Sequence, residues 1–222
     1  MFLKIKSPIL FCTREGFLID KKKKINKNHK KGAVMEKFKL PESIIADRIV
    51  LQKREHAHDA EMWEAIEESR NDIREYLFWV DGQKTYQDVV NSTDMFFKLW
   101  DEDGEWAYDI YDLTTHKFLG CIGAHKISFL NQSAELGYWL RSSETKKGYM
   151  TEAVLALEKE LFEHGMHRVT ICCDATNINS SNVAKNAGYA LETVEKEAIY
   201  HYTGLHDKEG YVKFSPYPIV GF

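Results

Sequence analysis

The sequence predicts a mixed α/β fold in one domain, with a mostly antiparallel central sheet and helices on both faces. Three observations carry this expectation. Short β-branched and aromatic runs follow one another through tight polar turns in 106–140. Amphipathic stretches at helical spacing flank them. A strand–loop–helix–strand passage over 134–173 is a βαβ crossover, which requires a parallel pair inside an otherwise antiparallel sheet.

The elements follow in order. Arg48-Ile49-Val50-Leu51-Gln52-Lys53 is the first strand, and 57–66 is helical with Met62, Trp63 and Ile66 on one side. A second helix spans 86–100, with Val89, Val90, Phe96, Phe97 and Trp100 inward. The segments 106–111 and 118–124 form a hairpin closed by the polar turn 114–117. A strand at 134–140, a loop, and a long helix from 149 to 164 with a Gly165 stop come next. The strand 168–173, a short helix 181–186 ended by Gly188, and strands at 190–200 and 211–214 complete the chain. No internal repeat or Pro/Gly linker divides 36–222, which reads as one domain.

Composition narrows the class. The chain has 222 residues, 44% of them hydrophobic, enough apolar surface to exclude a disordered or collagen-like chain. No run approaches the roughly 18 uninterrupted apolar residues of a membrane span. Four Cys, two of them adjacent at Cys172 and Cys173, argue against a disulfide scaffold and for reduced thiols in the cytoplasm. Residues 1–34 carry ten Lys and Arg against Glu15 and Asp20, a net of +8, so the rest holds −12 of a total of −4. The basic leader, with Lys21-Lys22-Lys23-Lys24 at its centre, reads as a poorly ordered N-terminal extension. An acidic body disfavours nucleic acid and mildly favours cationic substrates.

The chemistry concentrates after 140. In Leu140-Arg141-Ser142-Ser143-Glu144-Thr145-Lys146-Lys147-Gly148-Tyr149-Met150-Thr151-Glu152-Ala153 a strand ends, a polar loop turns and a helix begins at Gly148. Free N–H groups and the positive dipole end of such a helix attract anions. Gly148 removes the Cβ obstruction, and Lys146 and Lys147 add charge. A capped helix with a solvated charge pair is the other reading of the same residues.

Three blocks occur in order: Ala134-Glu135-Leu136-Gly137-Tyr138-Trp139-Leu140, Lys147-Gly148-Tyr149-Met150-Thr151-Glu152-Ala153, and Asn177-Ile178-Asn179-Ser180-Ser181-Asn182-Val183-Ala184-Lys185-Asn186-Ala187-Gly188-Tyr189. Together they resemble the acyl-CoA-binding core of the Gcn5-related N-acetyltransferase (GNAT) superfamily, most closely its RimJ/RimL-like ribosomal-protein branch. The resemblance implies two splayed parallel strands, here 134–140 and 168–174, with acetyl-CoA in the V between them and no metal. The diphosphate would rest on the amides of Lys147, Gly148, Tyr149, Met150 and Thr151. Backbone from Leu136 through Tyr138 and Trp139 to Leu140 would face the thioester arm and supply oxyanion donors, with Gly137 allowing a bulge. Asn177 and Asn182 would meet the pantetheine amides, and Lys185 the nucleotide phosphates. Thr145 and Met150 depart from the family's phosphate loop, which usually has a long polar side chain and a small residue there, and Lys146 would supply charge in compensation.

Acyl transfer to an amine needs a proton acceptor, oxyanion donors and protonation of the departing thiolate. The resemblance places Ser180 at the thiolate, a position where its hydroxyl also suits a helix cap. It places Ile199 where some relatives carry a base. Glu135 is then the first candidate base, and Glu197, two residues from Ile199 and so on the same strand face, the second. Trp79, Trp100 and Trp106 are candidate acceptor-pocket residues, with Trp79 foremost. Cys172 and Cys173 read as core thiols, not acyl carriers. His56 with His58, and His164 with His167, lack the further ligands a metal needs.

The function implied is transfer of acetyl from acetyl-CoA to a primary amine by direct attack in a ternary complex, in a monomer or homodimer. A protein N-terminal α-amine is the leading acceptor. A polyamine or antibiotic acetyltransferase, and a non-catalytic CoA sensor, are the alternatives.

Overall fold

The computed structural model describes residues 36–219, so the basic extension 1–34 lies outside the described residues. Strands β1 (Ser43–Ile45), β2 (Ile49–Lys53), β3 (Trp106–Asp112), β4 (Phe118–Ser128), β5 (Ser133–Leu140), β6 (Arg168–Asp174), β7 (Ala190–His201) and β8 (Gly204–Phe214) form one sheet. Its order is β1-β2-β3-β4-β5-β6-β8-β7, and β5 with β6 is the parallel pair. Four helices accompany it: α1 (Asp59–Tyr76), α2 (Tyr86–Asp101), α3 (Tyr149–Glu163) and α4 (Ile178–Asn186).

Strand alternation divides the core between two faces. Tyr108, Ile110, Ile122 and Leu136 point to one side, where Met150, Ala153, Val154, Leu157 and Leu161 of α3 cover them. Tyr111, Cys121 and Trp139 point to the other and meet Met62, Ile66 and Ile73 of α1 and Val89 of α2. Helix α2 starts on a reciprocal cap: Thr85 Oγ1 accepts the Asp88 N–H while the Asp88 carboxylate accepts the Thr85 N–H at 2.9 Å.

Several elements run beyond their predicted limits. Helix α1 continues ten residues past Ile66, held less by apolar periodicity than by polar ties. Glu68 binds Arg141, and Ser69 Oγ accepts the Ser142 N–H at 2.8 Å. Helix α4 begins at Ile178, three residues early, because Asn177 caps it. Strand β8 begins at Gly204, since Gly-Leu-His-Asp-Lys-Glu-Gly reads as a loop until β7 pairs with it and Lys208 meets Glu195 at 2.6 Å.

The parallel pairing decides where a site can form. β5 and β6 are bonded only from Ser133–Arg168 to Leu136–Ile171. Beyond that point β5 stays on β4 as far as Leu140, and β6 stays on β8 as far as Asp174. The sheet therefore splits into a V, with residues 137–140 on one arm and 172–174 on the other. Main-chain groups facing that gap have no strand opposite them and are free for an extended ligand.

Candidate active site

At the end of the first arm, Arg141 turns the chain. Its guanidinium donates to Glu68 and to Glu64 at 2.8 Å, fixing the loop under α1. Glu144 takes Lys117 at 2.6 Å and Lys147 at 2.8 Å, so Lys147 is engaged with a carboxylate while Lys146 is exposed with φ +62°. Gly148 is the N-cap of α3 at φ +84°, and no side chain caps the helix. The first-turn amides of Tyr149, Met150 and Thr151 accordingly keep the open donors of an uncapped helix start. Met150 does not crowd them: its side chain is buried in the core beneath α3. Arg48 borders this turn. It binds Glu152 at 2.8 Å and the Lys147 carbonyl at 3.1 Å, and it lies over the Tyr149 ring.

Inside the V, Tyr138 and Ser180 meet on the α3–α4 side. The Tyr138 hydroxyl is 3.1 Å from Ser180 Oγ and donates toward the Ser180 carbonyl at 3.3 Å. Burial holds the phenol well above its ordinary range despite the Ser180 contact, which keeps Tyr138 a neutral donor. Asn177 Oδ1 accepts the Ser180 N–H at 3.0 Å, so the cap belongs to Asn177 and the Ser180 hydroxyl is left for other work. Gly137 pairs in regular register with Gly123, and the expected bulge there is absent; the β4–β5 irregularity lies between His125 and Ser128. Asn182 and Lys185 are exposed on α4, with Lys185 over the Tyr211 ring. A split parallel pair, an open amide turn at the end of the β5 arm and a hydroxyl pair joining Tyr138 of that arm to Ser180 of α4 have the extent and chemistry to suit a long phosphorylated thioester.

The model of the acetyltransferase (GNAT) domain matches residues 48–190, well over half of the chain. The chain belongs to the GNAT acetyltransferase family. Among its relatives, the ribosomal-protein-serine acetyltransferase of Escherichia coli (strain K12) is 35% identical over 83 residues, 37% of this chain and 46% of its own length. The match thus spans less than half of that relative. YdaF of Bacillus subtilis (strain 168) is 28% identical over 153 residues, 67% of this chain and 81% of its own. In fold, the chain is similar to RimL, a ribosomal L7/L12 α-N-protein acetyltransferase, in complex with coenzyme A. The TM-score is 0.74 at 22% identity, covering 78% of this chain and 98% of RimL. The microcin C7 self-immunity acetyltransferase MccE, in complex with acetyl-CoA and AMP, has a TM-score of 0.72 at 23% identity, covering 76% and 93%.

The GNAT domain disposes the remaining candidates unevenly. Glu135 is buried below the split, on the α1 face. Its carboxylate takes Lys126 at 2.8 and 2.9 Å and His125 at 3.2 Å. Burial pushes this group up, but the hydrogen bond with His125 and the charge of Lys126 outweigh it and hold it below the usual carboxylate range. Glu135 is therefore a committed anion. Glu197 does not share a strand face with Ile199 in the way alternation implies. It sits at φ +50° in a bulge between Glu195 and Ile199, its backbone N–H on Asp207, its side chain exposed.

Trp79 lies in a short 3-10 turn after α1, its ring 5.9 Å from that of Trp139, and its buried Nε1 has no partner among the described residues. Trp100 and Trp106 are core residues instead, packed with Tyr108 and Phe38. Burial raises the Cys172 thiol to about 12 and that of Cys173 to about 11, which leaves both poor nucleophiles. His56 is tied to Asp59 and Asp94, and His58 to Asp109.

Sequence reasoning missed two features. Arg48 reaches the turn at Gly148 from 100 residues away, with no local signal. Asp174, at the tip of the β6 arm, holds His206 at 2.8 Å, a partnership visible only once β8 is paired with β6.

Proposed function

We propose that this protein transfers the acetyl group of acetyl-CoA to the N-terminal α-amine of a protein, of the ribosomal-protein type, by direct attack in a ternary complex. The observation that carries the reading is the split between β5 and β6 with the uncapped α3 turn at its mouth. The amides of Tyr149, Met150 and Thr151 would hold the diphosphate, with Lys146 and Arg48 beside it. Main chain of 137–140 would hold the pantetheine, with Asn182 and Lys185 along α4.

In the transfer, a neutral amine attacks the thioester carbonyl, a C–N bond forms and the C–S bond breaks. Ser180 Oγ, steadied by Tyr138, donates to the leaving sulfur. The amides of Leu136 to Trp139 that face the gap stabilise the oxyanion. Trp79, on the α1 face where Glu135 is held by Lys126 and His125, lines the approach of the acceptor. An α-amine suits such a site on energetic grounds. With a pKa of about 8 it is roughly one-tenth neutral at pH 7, whereas a Lys ε-amine near 10.4 is neutral in under about a thousandth of molecules. The names of the E. coli relative and of RimL point to the same acceptor class. Reduced Cys121, Cys172 and Cys173 agree with a cytoplasmic setting.

The test is thiol release from acetyl-CoA against a panel of N-terminal peptides, polyamines and aminoglycosides, followed by mass spectrometry of the product. Acetylation at a peptide α-nitrogen is the expected outcome. Binding of CoA without thiol release from any acceptor would establish a sensor instead.

A further inference from the structure

We infer that His206, oriented by Asp174, is the group that takes the proton from the acceptor amine. The inference rests on the acyl-transfer reading above and names a residue that the reading leaves open. Direct attack liberates one proton per turnover, and the carboxylates nearest the gap are poorly placed to receive it. Glu135 spends its oxygens on Lys126 and His125, Glu197 stands in the exposed bulge, and Ile199, directly opposite His206 in the β7–β8 register, has no acceptor atom.

Asp174 ends the β6 arm of the V and is 4% exposed at its side chain. Its Oδ1 accepts the Thr176 N–H at 2.8 Å and the Thr176 hydroxyl at 2.7 Å, leaving Oδ2 to accept Nδ1–H of His206 at 2.8 Å. An ionised carboxylate is acceptor-only, so this contact fixes the imidazole tautomer and leaves Nε2 as the basic atom. The far side of the ring is arranged for the form reached after proton capture. His201 Nδ1 accepts the Thr203 N–H at 3.2 Å and lies 2.8 Å from the Thr203 hydroxyl, while Thr203 Oγ1 lies 2.7 Å from His206 Nε2. With the Thr203 hydroxyl donating to His201, its oxygen is an acceptor turned toward Nε2. Every contact is then made when His206 carries both protons and Asp174 is its counter-ion.

The surroundings put this pair on the α1 side of the sheet, the side that the acyl-transfer reading gives to the acceptor. His201 stacks on His206 with ring centroids 4.2 Å apart, and Tyr76, the last residue of α1, faces His201 and donates to the Thr176 carbonyl. Since α1 also holds Arg141 through Glu68, it spans the wide mouth from the β5 arm to the β6 arm, on the face away from Ser180. Other charges near His206 are Asp207, itself paired with Lys196, and Lys208, paired with Glu195. The step balances: R–NH₃⁺ passes one proton through the Thr203 hydroxyl to Nε2, and the freed lone pair attacks the carbonyl. As the C–S bond breaks, sulfur takes the Ser180 proton, the second N–H proton of the adduct restores the Ser180 hydroxyl, and His206 returns its proton to solvent.

The test compares the full-length wild-type protein with His206→Gln and Asp174→Asn, using acetyl-CoA and a synthetic peptide with a free N-terminal serine. His206→Gln should lower kcat by about 100- to 10,000-fold, the usual reach of general base catalysis. It should also abolish the low-pH limb of the kcat profile while leaving the calorimetric affinity for CoA unchanged. Asp174→Asn should displace that limb and lower kcat less. A Gln variant within threefold of wild type, or one that keeps the limb, overturns the assignment while leaving acyl transfer intact. Wild-type protein that binds CoA but acetylates no acceptor of the wider panel overturns both readings. Diethyl pyrocarbonate labelling of the wild type keeps the test independent of variant folding. Inactivation that tracks modification of His206 supports the role, and full activity with His206 modified refutes it.

Discussion

The guanidinium of Arg48 and the carboxylate of Glu152 meet at 2.8 Å, joining the turn before β2 to the first turn of α3. The Arg48 backbone N–H reinforces the clasp at 2.6 Å. The relationship matters because Glu152 lies in the turn that the proposed reading gives to the diphosphate. A carboxylate favours a helix N-terminus, yet it repels a second anion there. Arg48 offsets that charge.

Replacing Arg48 by Ala should therefore raise KM for acetyl-CoA about fivefold, equivalent to about 1 kcal/mol at a half-exposed ion pair. kcat should change little. Raising the salt concentration should narrow the gap between variant and wild type, because exposed pairs are screened. An unchanged KM at low salt would show that Arg48 only fastens the helix.

Gly148 tests the turn itself. At φ +84° any side chain is strained, and a Cβ would lie 3.4 Å from the Arg48 guanidinium. Gly148→Ala should cost about 1 kcal/mol of stability and weaken CoA binding several-fold in calorimetry. Full affinity in that variant would mean that the diphosphate does not rest on this turn.

Ser180 and Asn177 separate chemistry from helix capping. Asn177 supplies the cap and Ser180 the hydroxyl beside Tyr138. Ser180→Ala should lower kcat by about 10- to 1,000-fold with little change in melting temperature. Asn177→Ala should cost about 1 kcal/mol of stability, the usual worth of a cap, with a smaller loss of kcat. The reverse pattern in kinetics and melting would make Ser180 structural.

These variants also mark how far the sequence could be read. The V was legible through the family resemblance that three blocks carry when taken in order: Glu135-Leu136-Gly137-Tyr138-Trp139, the turn at Gly148 and the Asn177–Gly188 block. Met150 misled because bulk alone does not say which way a side chain turns, and here it enters the core. The second half of α1 was hidden because Glu67 to Glu75 holds one buried apolar residue, Ile73, and is anchored through Glu68 and Ser69. Glu197 was misplaced because a bulge breaks the two-residue alternation. Arg48–Glu152 and Asp174–His206 join elements 104 and 32 residues apart, and no local pattern encodes such pairs.

Glu105 offers a prediction about stability. It is buried on the α1 face near Gly123, and its Oε1 has no partner among the described residues. Burial pushes its carboxyl up to about 8, against a smaller downward pull from Arg54. Below about pH 4.5 the group is protonated in both folded and unfolded chains, and its contribution is fully present. As pH rises toward 8 the unfolded chain releases a proton that the folded chain retains, so the folded state loses ground at up to about 1.4 kcal/mol per pH unit. Glu105→Gln keeps the shape and removes the titration. The stability difference between Gln variant and wild type, from urea unfolding at pH 5.5, 6.5 and 7.5, should then move steadily in favour of the variant, by about 1 kcal/mol per unit. Parallel curves across that range would mean that Glu105 ionises in the folded protein as freely as in the unfolded chain, and that its burial is relieved by solvent.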